Sequence, residues 1–147
     1  MLANMEGLIF VGQRLDAKDS AFPDAWQMPQ GGIDEGEDPA TAALRELKEE
    51  TGIDEQHVQI IAQSAEEHFY DLPEELIGKI WKGRYRGQRQ TWHLMRFNGE
   101  DQHIDIATSH AEFSAWKWEK PNLLPDLIVP FKKDLYRAIL GEFAPLI

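Results

Sequence analysis

The 147-residue chain contains no cysteine. That removes disulfide frameworks, thiolate zinc sites and cysteine nucleophiles together, and it suits a reducing cytoplasm. Basic residues are scarce: 15 Lys and Arg stand against 26 Asp and Glu, for a net charge of −11. Sequence-independent affinity for nucleic acid comes from clustered Lys and Arg, so this balance opposes general nucleic-acid binding. Any polyphosphate ligand must be met by a local basic patch or by metal ions. Long apolar runs are also missing. None approaches the roughly 18 residues of a membrane span, and the opening MLANMEGLIF has neither the basic end nor the cleavage site of a signal peptide. The expectation is a soluble cytoplasmic protein with no membrane contact.

What is present describes one domain over residues 1–147. The chain is 42% hydrophobic, with five Trp, seven Phe and three Tyr, and its 28% of charged residues is ordinary for a globular protein. There is no internal repeat or low-complexity tract. LIFVGQR, Leu8 to Arg14, is rich in β-formers and reads as a strand, followed by LDAKDSAFPDAW as loop. HVQIIAQ, QTWHLMRF and EFSAWKW read as further strands. LIVPFKKDLYRAILGEF carries Phe131, Leu135, Ala138 and Ile139 at helical spacing and is expected to close the fold as a helix. Strands that need a helix on each face make the fold class α+β or α/β/α.

The segment GGIDEGEDPATAALRELKEETGI, Gly31 to Ile53, is the most informative. Asp38 is a natural N-cap, Pro39 fits the first helical position, and Gly52 marks the stop. Ala40, Ala43, Leu44 and Leu47 form one stripe, with Glu46, Glu49 and Glu50 on an adjacent arc. Carboxylates at this spacing repel one another. A solvated acidic face, relieved by Arg45 and Lys48, is the ordinary explanation. Against it, the residues satisfy G-x5-E-x7-REUxEExGU, U being a bulky aliphatic residue, at Gly31, Glu37, Arg45, Glu46, Leu47, Glu49, Glu50, Gly52 and Ile53. Nine such coincidences at a given start have a probability on the order of 10⁻¹⁰ with average residue usage.

That pattern resembles the signature of the Nudix hydrolases. The resemblance implies a loop-helix-loop element on a central mixed sheet in an α/β/α sandwich, and hydrolysis of a nucleoside diphosphate linked to another moiety with Mg²⁺ or Mn²⁺. It makes Glu46, Glu49 and Glu50 metal ligands, Glu49 or Glu50 also orienting or deprotonating the attacking water. Glu37 and Arg45 hold the motif together, and Gly31 and Gly32 let the chain turn tightly before the helix. Close carboxylates without Cys or paired His suit Mg²⁺ or Mn²⁺ better than zinc.

The flanks WQMPQGGIDEGEDP, GQRQTWHLMRF, EFSAWKW and PFKKDLYRAIL are similar, in order, to those of bacterial RNA pyrophosphohydrolases and plant-type diadenosine tetraphosphate hydrolases. This likeness makes Glu112 an additional metal carboxylate, the alternative being a surface glutamate. It places Arg89 and Tyr70 near the phosphates, and Arg14, Val129, Phe131 and Lys132 at the base and terminal nucleotide. A strand-end cation for Arg89 and core packing for Tyr70 and Phe131 are the competing readings. Lys79, Lys82, Arg84, Arg86 and Arg89 form the local basic stretch, or a solvated loop. The Tyr-Arg-Pro-x-Val-Gly type of segment that precedes the first strand in this group is not in the sequence. The expectation is a first strand truncated at its N-terminus, by a start inside a longer reading frame or by trimming. The expected substrate is an RNA 5′-triphosphate end, a dinucleoside polyphosphate, or both. A dedicated diadenosine tetraphosphate hydrolase and a noncatalytic nucleotide-binding module are the alternatives.

Overall fold

The computed structural model describes residues 1–79 and 87–147. Lys82, Arg84 and Arg86 of the expected basic stretch lie outside the described residues, whereas Lys79 and Arg89 lie within them. The strands are β1 (Leu2–Ala3), β2 (Ile9–Arg14), β3 (Val58–Gln63), β4 (His68–Asp71), β5 (Gly87–Gln90), β6 (His93–Phe97) and β7 (Phe113–Glu119). Five of them make one sheet in the order β3-β6-β1-β2-β7. β1 runs parallel to β6 and the other neighbours are antiparallel, so the sheet is mixed. β4 and β5 form a separate antiparallel ribbon in which Tyr70 lies opposite Gln88 and Phe69 opposite Arg89.

Alternation along the central strands sends apolar side chains to both faces of the sheet. Ile9, Val11 and Leu94 join Leu135, Tyr136, Ile139 and Phe143 of α3 (Lys133–Phe143). Phe10, Met95, Phe97 and Phe113 join Leu47 of α1 (Pro39–Thr51) on the opposite face. Each such side chain contributes about 1.5–3 kcal/mol on burial, so each helix is held to the sheet mainly by its apolar stripe. The result is the α/β/α sandwich expected from the sequence.

Local signals set the limits of α1. Asp38 accepts hydrogen bonds from the backbone N–H groups of Ala40 (3.1 Å) and Thr41 (3.3 Å), and Gly52 ends the helix at φ +71°. A side chain at Gly52 would also meet the Asp105 carbonyl oxygen at 2.6 Å. The buried stripe differs from the expected one: Ala42, Leu47, Glu50 and Thr51 are buried, whereas Ala40, Ala43 and Leu44 are only half-buried. The inward face is thus rotated, and it carries a glutamate.

Two further expectations change. The strand expected over QTWHLMRF is divided at Thr91–Trp92 between β5, in the ribbon, and β6, in the main sheet. The expected C-terminal helix starts only at Lys133. A short α2 (Leu124–Leu127) and a 3₁₀ turn over Pro130–Lys132 come first, because Pro130 has no N–H to carry a helix onward. Phe131 therefore lies ahead of the helix rather than in its stripe. β1, two residues long, and β4, with Phe69 facing solvent, had no strong pattern of their own.

Two features carry the loop before α1 across the sheet. Gln27 pairs through its backbone with Gly12 at 2.8 and 2.9 Å, and the Met28 N–H donates to the Tyr136 hydroxyl at 2.8 Å. Gly12 is required there, since a Cβ would fall 2.4 Å from the Phe113 ring. At the same end of the sheet the register of β2 on β7 shifts at Gln13/Arg14, and the Leu15 N–H donates to the Glu112 carbonyl at 2.9 Å. A bulge of this kind re-aims side chains, and here it brings Arg14 and Glu112 to the rim above α1.

Candidate active site

Arg45 binds the outer part of the acidic motif. Its guanidinium donates to both Glu37 carboxylate oxygens at 2.9 and 2.8 Å, to the Gly32 carbonyl at 2.9 Å and to Glu46 at 2.9 Å, and stands 3.4 Å from Glu49. Glu37 also accepts from the Asp34 N–H at 3.0 Å. The bidentate pair with Arg45 pulls the Glu37 carboxyl down to about 2. One guanidinium thus ties the lead-in loop to the helix and offsets the repulsion between Glu46 and Glu49.

Gly31 makes room for Glu46: a Cβ at Gly31 would lie 2.0 Å from the Glu46 carboxyl carbon. Gly32 meets no such crowding, and the positive φ in this loop belongs to Gly36, at +76°. The tight turn expected of Gly31 and Gly32 is therefore a close approach at Gly31 and a left-handed backbone at Gly36, with Gly32 serving through its carbonyl.

Glu50 has the opposite surroundings. It is 4% exposed, and its Oε2 has no hydrogen-bond partner among the described residues. Burial first, then the nearby Glu46 and Glu112 carboxylates, push its carboxyl up to about 9, while the Gln30 N–H and Arg14 act in the other direction. Glu112 is exposed at the rim. Arg14 forms a two-point ion pair with Asp16 at 2.8 and 3.0 Å and senses both Glu112 and Glu50. Among the described residues, no three carboxylate or imidazole groups stand close enough to enclose a cation as placed. Glu46 and Glu49 are both held by Arg45, at 2.9 and 3.4 Å. Glu46, Glu50 and Glu112 offer oxygen donors alone, and the Glu50 oxygen that has no partner among the described residues is the kind of donor a hard divalent cation takes.

Beyond the carboxylates, Lys132 is buried and donates from Nζ to Gln30 Oε1 at 3.1 Å, and its ammonium lies 5.0 Å from the centre of the Tyr70 ring. Burial, with a smaller contribution from Arg14, pushes Lys132 down to about 8. Tyr70, also buried, donates to Gln88 Oε1 at 2.6 Å, and burial raises its phenol. The Phe131 ring stands 6.0 Å from Tyr70 and 6.4 Å from Phe22, and Phe131 and Val129 are half-buried against the α3-side core. Arg89 is 66% exposed and stands 3.4 Å from Glu67.

The structure therefore brings Arg14, Glu46 and Glu112 within electrostatic range of Glu50, and the Tyr70 ring beside Phe131 and Lys132. Glu49 turns to Arg45, and Arg89 to Glu67. Sequence reasoning missed Gln30, Gln88, Gln90 and Trp92, which are joined by hydrogen bonds between Lys132 and the core. Their one visible signal was the alternation of Gln88 and Gln90 in GQRQTW, which places both on one face of a strand.

A family model described as NUDIX domain matches residues 1–139. The chain is 62% identical to an RNA pyrophosphohydrolase of Sphingopyxis alaskensis over 147 residues, covering 100% of this chain and 90% of that protein. It is 60% identical to an RNA pyrophosphohydrolase of Novosphingobium aromaticivorans, with the same shares covered. Its fold is similar to the E. coli dihydroneopterin triphosphate pyrophosphohydrolase, with a TM-score of 0.71 at 23% identity, over 95% of this chain and 88% of that one. A C. elegans Ap4A hydrolase binary complex gives a TM-score of 0.64 at 24% identity, over 98% and 95%.

Proposed function

The chain belongs to the NUDIX domain family, and on that premise we propose that it is a Mg²⁺- or Mn²⁺-dependent pyrophosphohydrolase of the cytoplasm that acts on the 5′-triphosphate end of RNA and also cleaves dinucleoside polyphosphates. Its relatives at 62% and 60% identity carry the name RNA pyrophosphohydrolase. The observation that supports the chemistry best is Glu50, a buried glutamate with an unpartnered oxygen, set beside Glu46 and Glu112. A carboxyl so placed is unfavourable unless a positive charge arrives.

In this reading Glu46, Glu49, Glu50 and Glu112 hold the cation. When bound, a hard divalent cation neutralises phosphate charge and lowers the pKa of water. Glu49 or Glu50 orients the attacking water and takes its proton. Arg45 and Glu37 hold the loop and the helix in register around these carboxylates. Lys132, Tyr70, Arg14 and Arg89 meet phosphate oxygens, offsetting a chain of net charge −11. Phe131 and Val129 offer an apolar surface to a base, aromatic stacking being tolerant of sequence.

Turnover of 5′-triphosphorylated RNA and of diadenosine tetraphosphate, compared at limiting enzyme in Mg²⁺ and in Mn²⁺, tests the proposal. Conversion of RNA to a 5′-monophosphate end with pyrophosphate release is expected. Negligible RNA turnover with rapid cleavage of the dinucleotide makes the protein a dedicated dinucleoside tetraphosphate hydrolase. Binding of both without hydrolysis makes it a nucleotide-binding module.

A further inference from the structure

Four side chains between the core and the groove beside α1 form a connected amide cluster. The Trp92 indole N–H donates to Gln90 Oε1 at 2.9 Å. Gln90 Nε2 donates to Gln88 Oε1 at 3.2 Å and to Gln30 Oε1 at 3.3 Å. Gln30 Oε1 also accepts from Lys132, Gln88 Oε1 also accepts from the Tyr70 hydroxyl, and the Gln30 amide hydrogen-bonds that hydroxyl in turn.

The order of donors and acceptors in this cluster is forced. An indole N–H and an ammonium can only donate, so Trp92 fixes Gln90 with its oxygen inward, and Lys132 fixes Gln30 the same way. Gln90 must then present its nitrogen to Gln88, whose oxygen faces inward as well. What is left over is the Gln88 amide nitrogen, whose two N–H bonds have no acceptor among the described residues. Gln88 is half-buried and lines a groove of about 500 Å³ shared with Glu46, Gln30 and Gln90.

We propose that Trp92 and Gln90 are positioning residues that hold the Gln88 amide with its nitrogen toward the phosphate chain of the substrate. The inference rests on the reading above, that the substrate carries a phosphate chain, and adds that the chain reaches this groove beside Glu46. A neutral donor serves an acidic site well, because a second ammonium there would pair with Glu46. Its weakness is that an amide can flip and turn a repelling oxygen on the anion. The Trp92 indole, a rigid donor anchored in the core by its edge contact with Tyr136 at 6.0 Å, removes that freedom.

The test is a double-mutant cycle in KM for a 5′-triphosphorylated oligoribonucleotide in Mg²⁺. A hydrogen bond to a charged acceptor corresponds to roughly tenfold or more in binding. Gln88→Leu is expected to raise KM about tenfold, and Trp92→Phe, which keeps an aromatic ring and deletes the donor, by nearly as much. In both, kcat stays within about twofold of wild type. Trp92→Phe is expected to add nothing once Gln88 is Leu. Gln90→Glu, whose carboxylate has no donor for Gln88, repeats the cycle should Trp92→Phe fold poorly. An unchanged KM, or effects of Trp92 and Gln88 that multiply independently, overturns the positioning role. A wild-type protein that turns over neither RNA nor dinucleotide overturns the reading beneath it instead.

Discussion

The two ends of the glutamate set share a residue type and one loop-helix-loop element but not an environment. Glu37, Glu46 and Glu49 gather around one guanidinium, each within 3.4 Å of it. Glu50 is buried, has an oxygen with no partner among the described residues, and feels the Glu46 and Glu112 carboxylates. The first group has a cation partner in Arg45, and within it Glu37, bound at two points, keeps the loop-helix-loop element in shape. The second is left unfavourable by the fold, and a site that the protein does not complete for itself is where a ligand gains most by binding.

The largest expected effect breaks the unsatisfied half. Glu50→Gln lowers hydrolysis of 5′-triphosphorylated RNA by about 10³-fold, in the range for loss of a general base or cation ligand. Its melting temperature is not lowered, because near neutral pH the amide is spared the proton that the carboxyl must take up on folding. A loss of stability parallel to the loss of rate, seen by calorimetry, contradicts the contrast. Next comes a paired test of the lead-in loop. Gly31→Ala drives a methyl group into the Glu46 carboxyl and reduces turnover by roughly 10–100-fold, whereas Gly32→Ala stays near wild type. Equal effects in a kinetic assay remove the close approach as an explanation. Arg45→Lys preserves one charge but not the fork that spans Glu37, Glu46 and Gly32. It lowers activity about tenfold and lowers the melting temperature as well.

A smaller effect separates the two halves by pH. The Glu50 carboxyl is raised from an ordinary 4.5 to about 9. Between those values the folded chain holds a proton that the unfolded chain has released, so Glu50 lowers stability as pH rises through the window. The slope is at most about 1.4 kcal/mol per pH unit, that of a single proton. Lys132, lowered to about 8, acts oppositely between about 8 and 10.5, because there the unfolded chain binds the extra proton. Denaturant midpoints of wild type and Glu50→Gln in EDTA isolate the first term, since Lys132 is common to both. Parallel curves from pH 5 to 8 show that Glu50 titrates normally.

The same contrast explains what could be read from the sequence. The ends of α1 were legible because Asp38, Pro39 and Gly52 act locally, and the glutamate pattern was legible because its spacing is nearly unique. Which glutamate is buried was not, because the helix turns Ala42 and Glu50 inward through packing on the sheet, a tertiary choice that periodicity alone placed one residue away. The break at Thr91–Trp92 was hidden for a similar reason: β5 and β6 are each good strands, and only their separation into two sheets divides them. Pro130 was a visible sign that the last helix starts late, outweighed by the apolar spacing around Phe131. The amide cluster joins Gln30 to Gln88 and Gln90 across distant parts of the chain, where no local signal marks a partner.

Binding of Mn²⁺ in the absence of substrate, followed by titration calorimetry at pH 7.5, tests the account at its centre. Glu50→Gln should weaken Mn²⁺ at least tenfold relative to wild type, while Glu37→Gln, at the satisfied end, should retain affinity within about threefold. Equal Mn²⁺ affinity in wild type and Glu50→Gln would mean that the unpartnered carboxyl is not where the cation binds.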